Sequence, residues 1–204
     1  MPSLRALLTC TVVTLATLAG PAAAAVLTLQ VADSAGKPLA DAVALLEPTS
    51  GHVAVKPVAD TEVSQAKRQF APRVTLITVG TKVSFPNFDT VRHHVYSFST
   101  PKTFELKLYA GVPAQPIVFD KPGVAVLGCN IHDRMAAWIV IADTPWNGRS
   151  GDDGAIRIDG VPAGKYQLRV WHAGLPAGSE PAAVPVTLGA ADIAQRVQLA
   201  VAPL

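Results

Sequence analysis

Apolar and polar residues alternate with period two along most of this chain, the pattern of strands buried on one face. Leu27, Leu29 and Val31 share one face while Thr28 and Gln30 take the other. The turn residues of 33–38 follow, and 42–46 predicts a second short strand. Residues 47–58, with Pro48, Gly51 and Pro57, read as a connector carrying an exposed loop histidine, His52. From 61 to 143 short apolar runs recur at 62–66, 74–79, 82–85, 95–99, 104–108, 117–119, 124–127 and 137–141. Gly80-Thr81, Pro86-Asn87, Pro101-Lys102 and Lys121-Pro122-Gly123 punctuate them, and the polar segment 89–94 predicts a loop entering the strand at Val95. Residues 144–150 predict a second connector. Beyond it Ile156 and Ile158 alternate with Arg157 and Asp159, Tyr166, Leu168 and Val170 with Gln167 and Arg169, and 184–188 and 197–201 predict the last strands. Many short strands with regular turn signals and no helical period predict an all-β protein, a sandwich or barrel.

The start of the chain departs from this pattern. Arg5, an apolar stretch over 6–18 and the small run Ala22 to Ala25 have the order of a secretory signal peptide. Cleavage near Ala24 or Ala25 predicts a mature start near Val26 and an exported protein, periplasmic or secreted. No later run is long and apolar enough to span a bilayer. The 204 residues suffice for one ordinary domain or two small ones. The formal charge of +2 falls to +1 when Arg5 leaves with the leader. No basic run interleaves with aromatics, which argues against nucleic acid as a partner.

Chemistry concentrates between two of the apolar runs, in Gly-Cys-Asn-Ile-His-Asp-Arg-Met over 128–135. Cys129, His132 and Met135 follow one another at intervals of three residues. Outside the leader, Cys129 is the only cysteine and Met135 the only methionine, so the mature chain has no internal disulfide. A buried Cys or Met is usually core packing, but an unpaired thiol in an exported protein calls for a reason. One Cys, one His and a weaker Met, joined by a second His, make a blue-copper electron-transfer ligand set. Zinc is disfavoured because thioether is not among its usual ligands. The 89–94 loop supplies the second imidazole, from His93 or His94. Successive strand residues face opposite ways, so only one of the two faces a metal. No Ser-His-Asp grouping or paired catalytic carboxylates stand out, and the expectation is a protein that is not an enzyme.

The central unit resembles a cupredoxin. The strand 80–87 ending in Asn87, with His93 six residues on, is similar to the family's first-ligand region. The Cys129-x-x-His132-x-x-Met135 loop has the spacing of amicyanin. The resemblance implies copper as cofactor, with His93, Cys129 and His132 as equatorial ligands and Met135 as the axial one. Segments 92–99, 128–133 and 170–172 also resemble exported proteins labelled plastocyanin-like or methylamine utilisation protein. Three departures from the family stand out. His94 stands where Asn commonly ties the two ligand loops together, a bond an imidazole can also donate. Asn130 stands where Ser or Thr is commoner, and it can still orient the ligands from outside the metal's shell. Asp133 and Arg134 surround His132 with charge, which favours a polar docking face. With Asn87, His94 and Asn130 form the expected supporting set.

The flanks resemble a different family. Residues 31–42 are similar to the opening of a transthyretin-like or carboxypeptidase-regulatory-like sandwich, and 153–166 to its later half. The expected organisation is a signal peptide at 1–25, sandwich segments at 26–58 and 144–204, and a cupredoxin Greek-key unit at 59–143 inserted in or joined to that Ig-like sandwich. The function implied is passage of single electrons between larger redox proteins. Copper delivery, storage or sensing is the alternative, and a metal-free scaffold is a third.

Overall fold

The computed structural model describes residues 24–176 and 178–202, in which strands and loops account for all regular structure and no helix occurs. The expected leader lies outside the described residues except for Ala24 and Ala25. Among the described residues no helix is long and apolar enough to cross a membrane.

The strands in chain order are β1 (Ala25–Asp33), β2 (Val43–Pro48), β3 (Thr61–Glu62), β4 (Ser64–Ala66), β5 (Gln69–Ala71) and β6 (Val74–Thr78). Next come β7 (Thr81–Ser84), β8 (His93–Ser99), β9 (Lys102–Tyr109), β10 (Ile117–Phe119), β11 (Gly123–Gly128) and β12 (Ala136–Ala142). The chain ends with β13 (Asn147–Arg149), β14 (Ala155–Val161), β15 (Gly164–Trp171), β16 (Ala183–Leu188) and β17 (Ile193–Leu199). The all-β class expected from the alternation is the one observed.

Strands from the two ends of the chain pair with each other. β1 lies between β14, antiparallel, and β17, parallel. A second sheet runs β13-β2-β15-β16. Leu27, Leu29 and Val31 meet Leu46, Ile156, Ile158, Tyr166, Leu168 and Leu188 in one apolar cluster between these sheets. The middle of the chain builds its own core. A five-stranded sheet, β6-β12-β11-β8-β9, and the smaller β10-β7-β3 sheet enclose Phe85, Val95, Phe119, Leu127, Ile139 and Ile141.

A third cluster joins the two. Val43 and Trp171 of the end-built sheet pack with Val74 and Val140 of the five-stranded one, flanked by Trp138. β12 is therefore apolar on both faces: Ala137, Ile139 and Ile141 enter the middle core, while Val140 enters the joint cluster. That explains why 136–142 reads as a continuous apolar run instead of an alternating one. Trp138 sits 6.5 Å from Trp171, with the Arg73 guanidinium 5.3 Å from its ring centre, so it is a packing residue of this joint.

Several expected boundaries move: the strand expected over 62–66 is two, β3 and β4; β5 lies where no strand was expected; and β8 starts at His93, inside the loop expected over 89–94. The last strand starts at Ile193, not near 197, because its parallel register with β1 runs from Leu27↔Ile193 to Asp33↔Leu199. Gln195 interrupts the inward apolar positions there and hides the strand from a periodicity reading. The connector expected over 144–150 contains β13, which has no apolar side chain and is held by backbone pairing to β2. A Cβ on its Gly148 would meet Ile156 Cγ2 at 2.6 Å, so close packing requires glycine at this position.

Two outcomes follow from the joint cluster. Trp171→Ala should lower unfolding free energy by about 3–5 kcal/mol in a denaturant titration, the usual range for deleting a buried large aromatic. His172 is buried beside Trp171, and its Nδ1 accepts the Gly174 amide at 3.1 Å. Burial pulls its pKa below the ordinary 6.5, with a bond to the Ala40 backbone opposing. The unfolded chain then binds the proton more readily, so His172 removes stability as pH falls from 6.5 through its lowered folded pKa. His172→Gln should flatten that part of the stability–pH curve.

Candidate metal centre

The β11–β12 hairpin sets the ligand loop. Its register runs to Gly128↔Ala136, which leaves residues 129–135 as the connection. The Met135 amide donates to the His132 carbonyl at 2.9 Å and folds the loop back on itself. Cys129 and Met135 thereby enter the middle core, both almost wholly buried, while His132 is half-buried at the loop's crest.

The second imidazole comes from β8. His93 and Val95 point inward; His94, Tyr96 and Phe98 lie on the other face, as strand alternation requires. Opposite them, β9 is irregular: His93 pairs with Tyr109 but Val95 with Leu106, which leaves an extra residue on β9. Lys107 and Leu108 are both exposed there, and the bulge returns the Tyr109 ring to the inner side. Tyr109 Oη then donates to the Phe85 carbonyl at 2.6 Å, and the buried Gln65 Nε2 bonds both. Burial pushes the Tyr109 phenol up to about 12, the Gln65 bond opposing and the nearby Cys129 adding to the rise.

His93, Cys129 and His132 converge. Their donor atoms all lie within 4.8 Å of one another. Cys129 Sγ is 3.9 Å from His93 Nδ1 and 3.7 Å from His132 Nδ1, and the two rings are 4.9 Å apart between centres. With metal–sulfur bonds of about 2.3 Å and metal–imidazole bonds of about 2.05 Å, S and N atoms about 120° apart on one ion lie about 3.8 Å from each other. The observed separations match those edges. The donor set, one thiolate and two imidazoles with a thioether buried in the same cluster, therefore fits a soft transition metal, with copper the ion these ligands suit.

The supporting residues divide. Asn87 is buried, and its Nδ2 donates to the Val91 and Tyr109 carbonyls at 2.9 and 3.0 Å while its Oδ1 accepts the Asp89 amide at 2.9 Å. It shapes the loop that delivers His93. The two other expected supports are placed differently. His94 does not tie the ligand loops: its ring stands edge-on to Tyr96, and its Nε2 is 3.0 Å from Glu105 Oε1 but off the line a hydrogen bond needs. Asn130 is exposed, with no hydrogen bond to the opposite loop among the described residues. Asn130 points outward from the loop, whereas strand alternation puts His94, itself buried, on the face of β8 away from Cys129.

A residue that pattern reading overlooked has the closest contact. Asp89 Oδ2 lies 2.7 Å from His93 Nε2, on the ring edge away from Cys129. The Arg68 amide, then the His93 ring, hold the Asp89 carboxyl below its usual range. The only signal in the sequence is an acid four residues before the histidine. On the two loops that bear the ligands, Asp133 and Arg134 are exposed, but so are Ile131 at 49% and, before His93, Phe88 at 66%, so the exposed side chains of these loops are mixed instead of purely polar. A cleft of about 460 Å³, bordered by Tyr96, Phe98, Val126, Cys129, Asp133 and Met135, opens beside the loop. Tyr96 lies against the Gly128 backbone, where a Cβ would meet its ring at 2.6 Å.

No family model matches the chain, and no curated protein sequence does either. Among solved structures the chain is similar to a purple cupredoxin from Nitrosopumilus maritimus, at 21% identity over 40% of this chain and 99% of that one, with a TM-score of 0.35. It is also similar to amicyanin from Paracoccus versutus, at 18% identity over 47% of this chain and 96% of that one, TM-score 0.35. A copper-containing nitrite reductase from Thermus scotoductus matches at 27% identity over 55% of this chain but 28% of its own, TM-score 0.38. These overlaps are partial and their scores low, so the chemistry of the site rests on this chain's own residues.

Asn87→Ala should destabilise the metal-free protein by about 1–3 kcal/mol, the cost of leaving buried partners unsatisfied. Equilibrium unfolding in urea measures it.

Proposed function

We propose that this protein is an exported copper protein that carries single electrons between larger redox proteins. In this reading residues 59–143 form the copper unit, and 26–58 with 144–204 form the sandwich that carries it. The observation supporting it is the convergence of His93 Nδ1, Cys129 Sγ and His132 Nδ1 within 4.8 Å, with Met135 buried in the same apolar cluster as Cys129. Copper held by His93, Cys129, His132 and Met135 would supply a one-electron couple whose potential the thioether and the local polarity would tune. The chain's contribution is rigidity. Cys129 and Met135 are embedded in the middle core, His93 is clamped at the start of β8, and β12 is packed on both faces. Ligands held this way move little when the metal's charge changes, so electron transfer requires little rearrangement. His132, half-buried at the crest, is the ligand nearest solvent and the edge toward a partner.

Delivery or storage of copper is the second reading. It draws on the cleft that reaches Cys129 and Met135 from the side, a route by which a metal exchanges. The two readings separate in one experiment, a Cu(II) titration of the mature protein beside Cys129→Ser. The electron-carrier reading expects an intense visible absorption and reversible electrochemistry from the native protein, and neither from the variant. A colourless Cu(II) complex or binding of Cu(I) alone supports delivery; equal spectra for both proteins end the blue-copper reading. Copper at about 1,000 times its dissociation constant should also raise stability by roughly 4 kcal/mol.

A further inference from the structure

We infer that Asp89 is the positioning residue of the site, setting which nitrogen of His93 carries the proton and which is left to face Cys129. The inference rests on the copper reading for its purpose, though its geometry stands without the metal.

A neutral imidazole has one N–H and one bare nitrogen, and the bond made by one nitrogen decides the state of the other. His93 is wholly buried, and its Nε2 has an Asp89 carboxylate oxygen at 2.7 Å. A carboxylate only accepts, so Nε2 carries the hydrogen and Nδ1 is bare on the side of Cys129 Sγ, 3.9 Å away. Exchanging the two states would set lone pair against lone pair at Asp89 and turn an N–H toward the position a metal occupies.

Asp89 is itself held from a distant part of the chain. The amides of Lys67 and Arg68 donate to Oδ1 at 2.6 Å and Oδ2 at 2.8 Å. These two residues form the β4–β5 turn, with φ of 55° and 58°, and that left-handed pair aims consecutive N–H groups at one carboxylate. A third amide, that of Asp89 itself, is fixed by Asn87 Oδ1. Every link from the β4–β5 turn to the inner imidazole is thus a short, charge-assisted bond. An asparagine at this position would turn its NH2 toward the Lys67 or Arg68 amide, so the neutral analogue fits poorly. A carboxylate beside a ligand imidazole raises the ligand's basicity and favours the more oxidised metal.

The test begins without copper. Long-range ¹H–¹⁵N NMR of the metal-free native protein should show the His93 ring protonated at Nε2, and a ring protonated at Nδ1 overturns the inference without any variant. Asp89→Ala should lose the single tautomer and weaken copper binding about 10- to 100-fold, and its copper form should have a higher reduction potential. An unchanged His93 tautomer and copper affinity in Asp89→Ala also overturn it. Loss of the tautomer in Asp89→Ala, in a protein that binds no copper at all, upholds the inference while sinking the copper reading.

Discussion

Strand β12 has no solvent face, and the rest of the molecule depends on that. One side of it fills the middle core and the other fills the cluster that joins this core to the end-built sheets. Its first residue closes the loop that bears Cys129, His132 and Met135. A slip of one residue would put Ala137, Ile139 and Ile141 into the joint cluster and Ala136, Trp138 and Val140 into the middle core, two clusters of different shape, so packing on both sides resists it. The register that closes the loop is therefore set by packing well away from it.

The candidate site shows a division of labour between its two halves. The Cys129–Met135 loop is local: one hairpin, one turn bond and two buried sulfurs. The His93 half is assembled from separate segments. β8 provides the imidazole, Asn87 shapes its approach, the β4–β5 turn steers Asp89, and the bulge in β9 brings Tyr109 inward to Gln65 and Phe85. The elements on the His93 side set a geometry that the short loop cannot set alone.

The two apolar cores also differ in how the chain makes them. The outer one requires β1 and β2 from one end to meet β14 to β17 from the other, so it closes only when the two ends of the chain come together. The middle one uses contiguous sequence and contains both sulfur side chains of the described residues. Trp138 of β12 and Trp171 of β15 meet in the cluster that joins them, with Arg73 stacked over the first. That contact gives the aromatic beyond the ligand loop a packing role.

Read alone, the sequence determined the all-β class, most strand positions and the ligand loop. Alternation with period two is a local property, and Cys129, His132 and Met135 lie within one turn of chain. It also limited the second imidazole to His93 or His94. Tertiary structure decided the rest: that His93 faces Cys129, that His94 lies buried on the other face of β8 and Asn130 turns outward, that β13 exists without an apolar residue, and that β17 begins at Ile193. Asp89 belongs to this second group. Its partners sit at Lys67, Arg68 and His93, and only the closing of the β4–β5 turn against the 87–93 loop brings them together. Such contacts depend on distances through space, and residue spacing along the chain does not encode them.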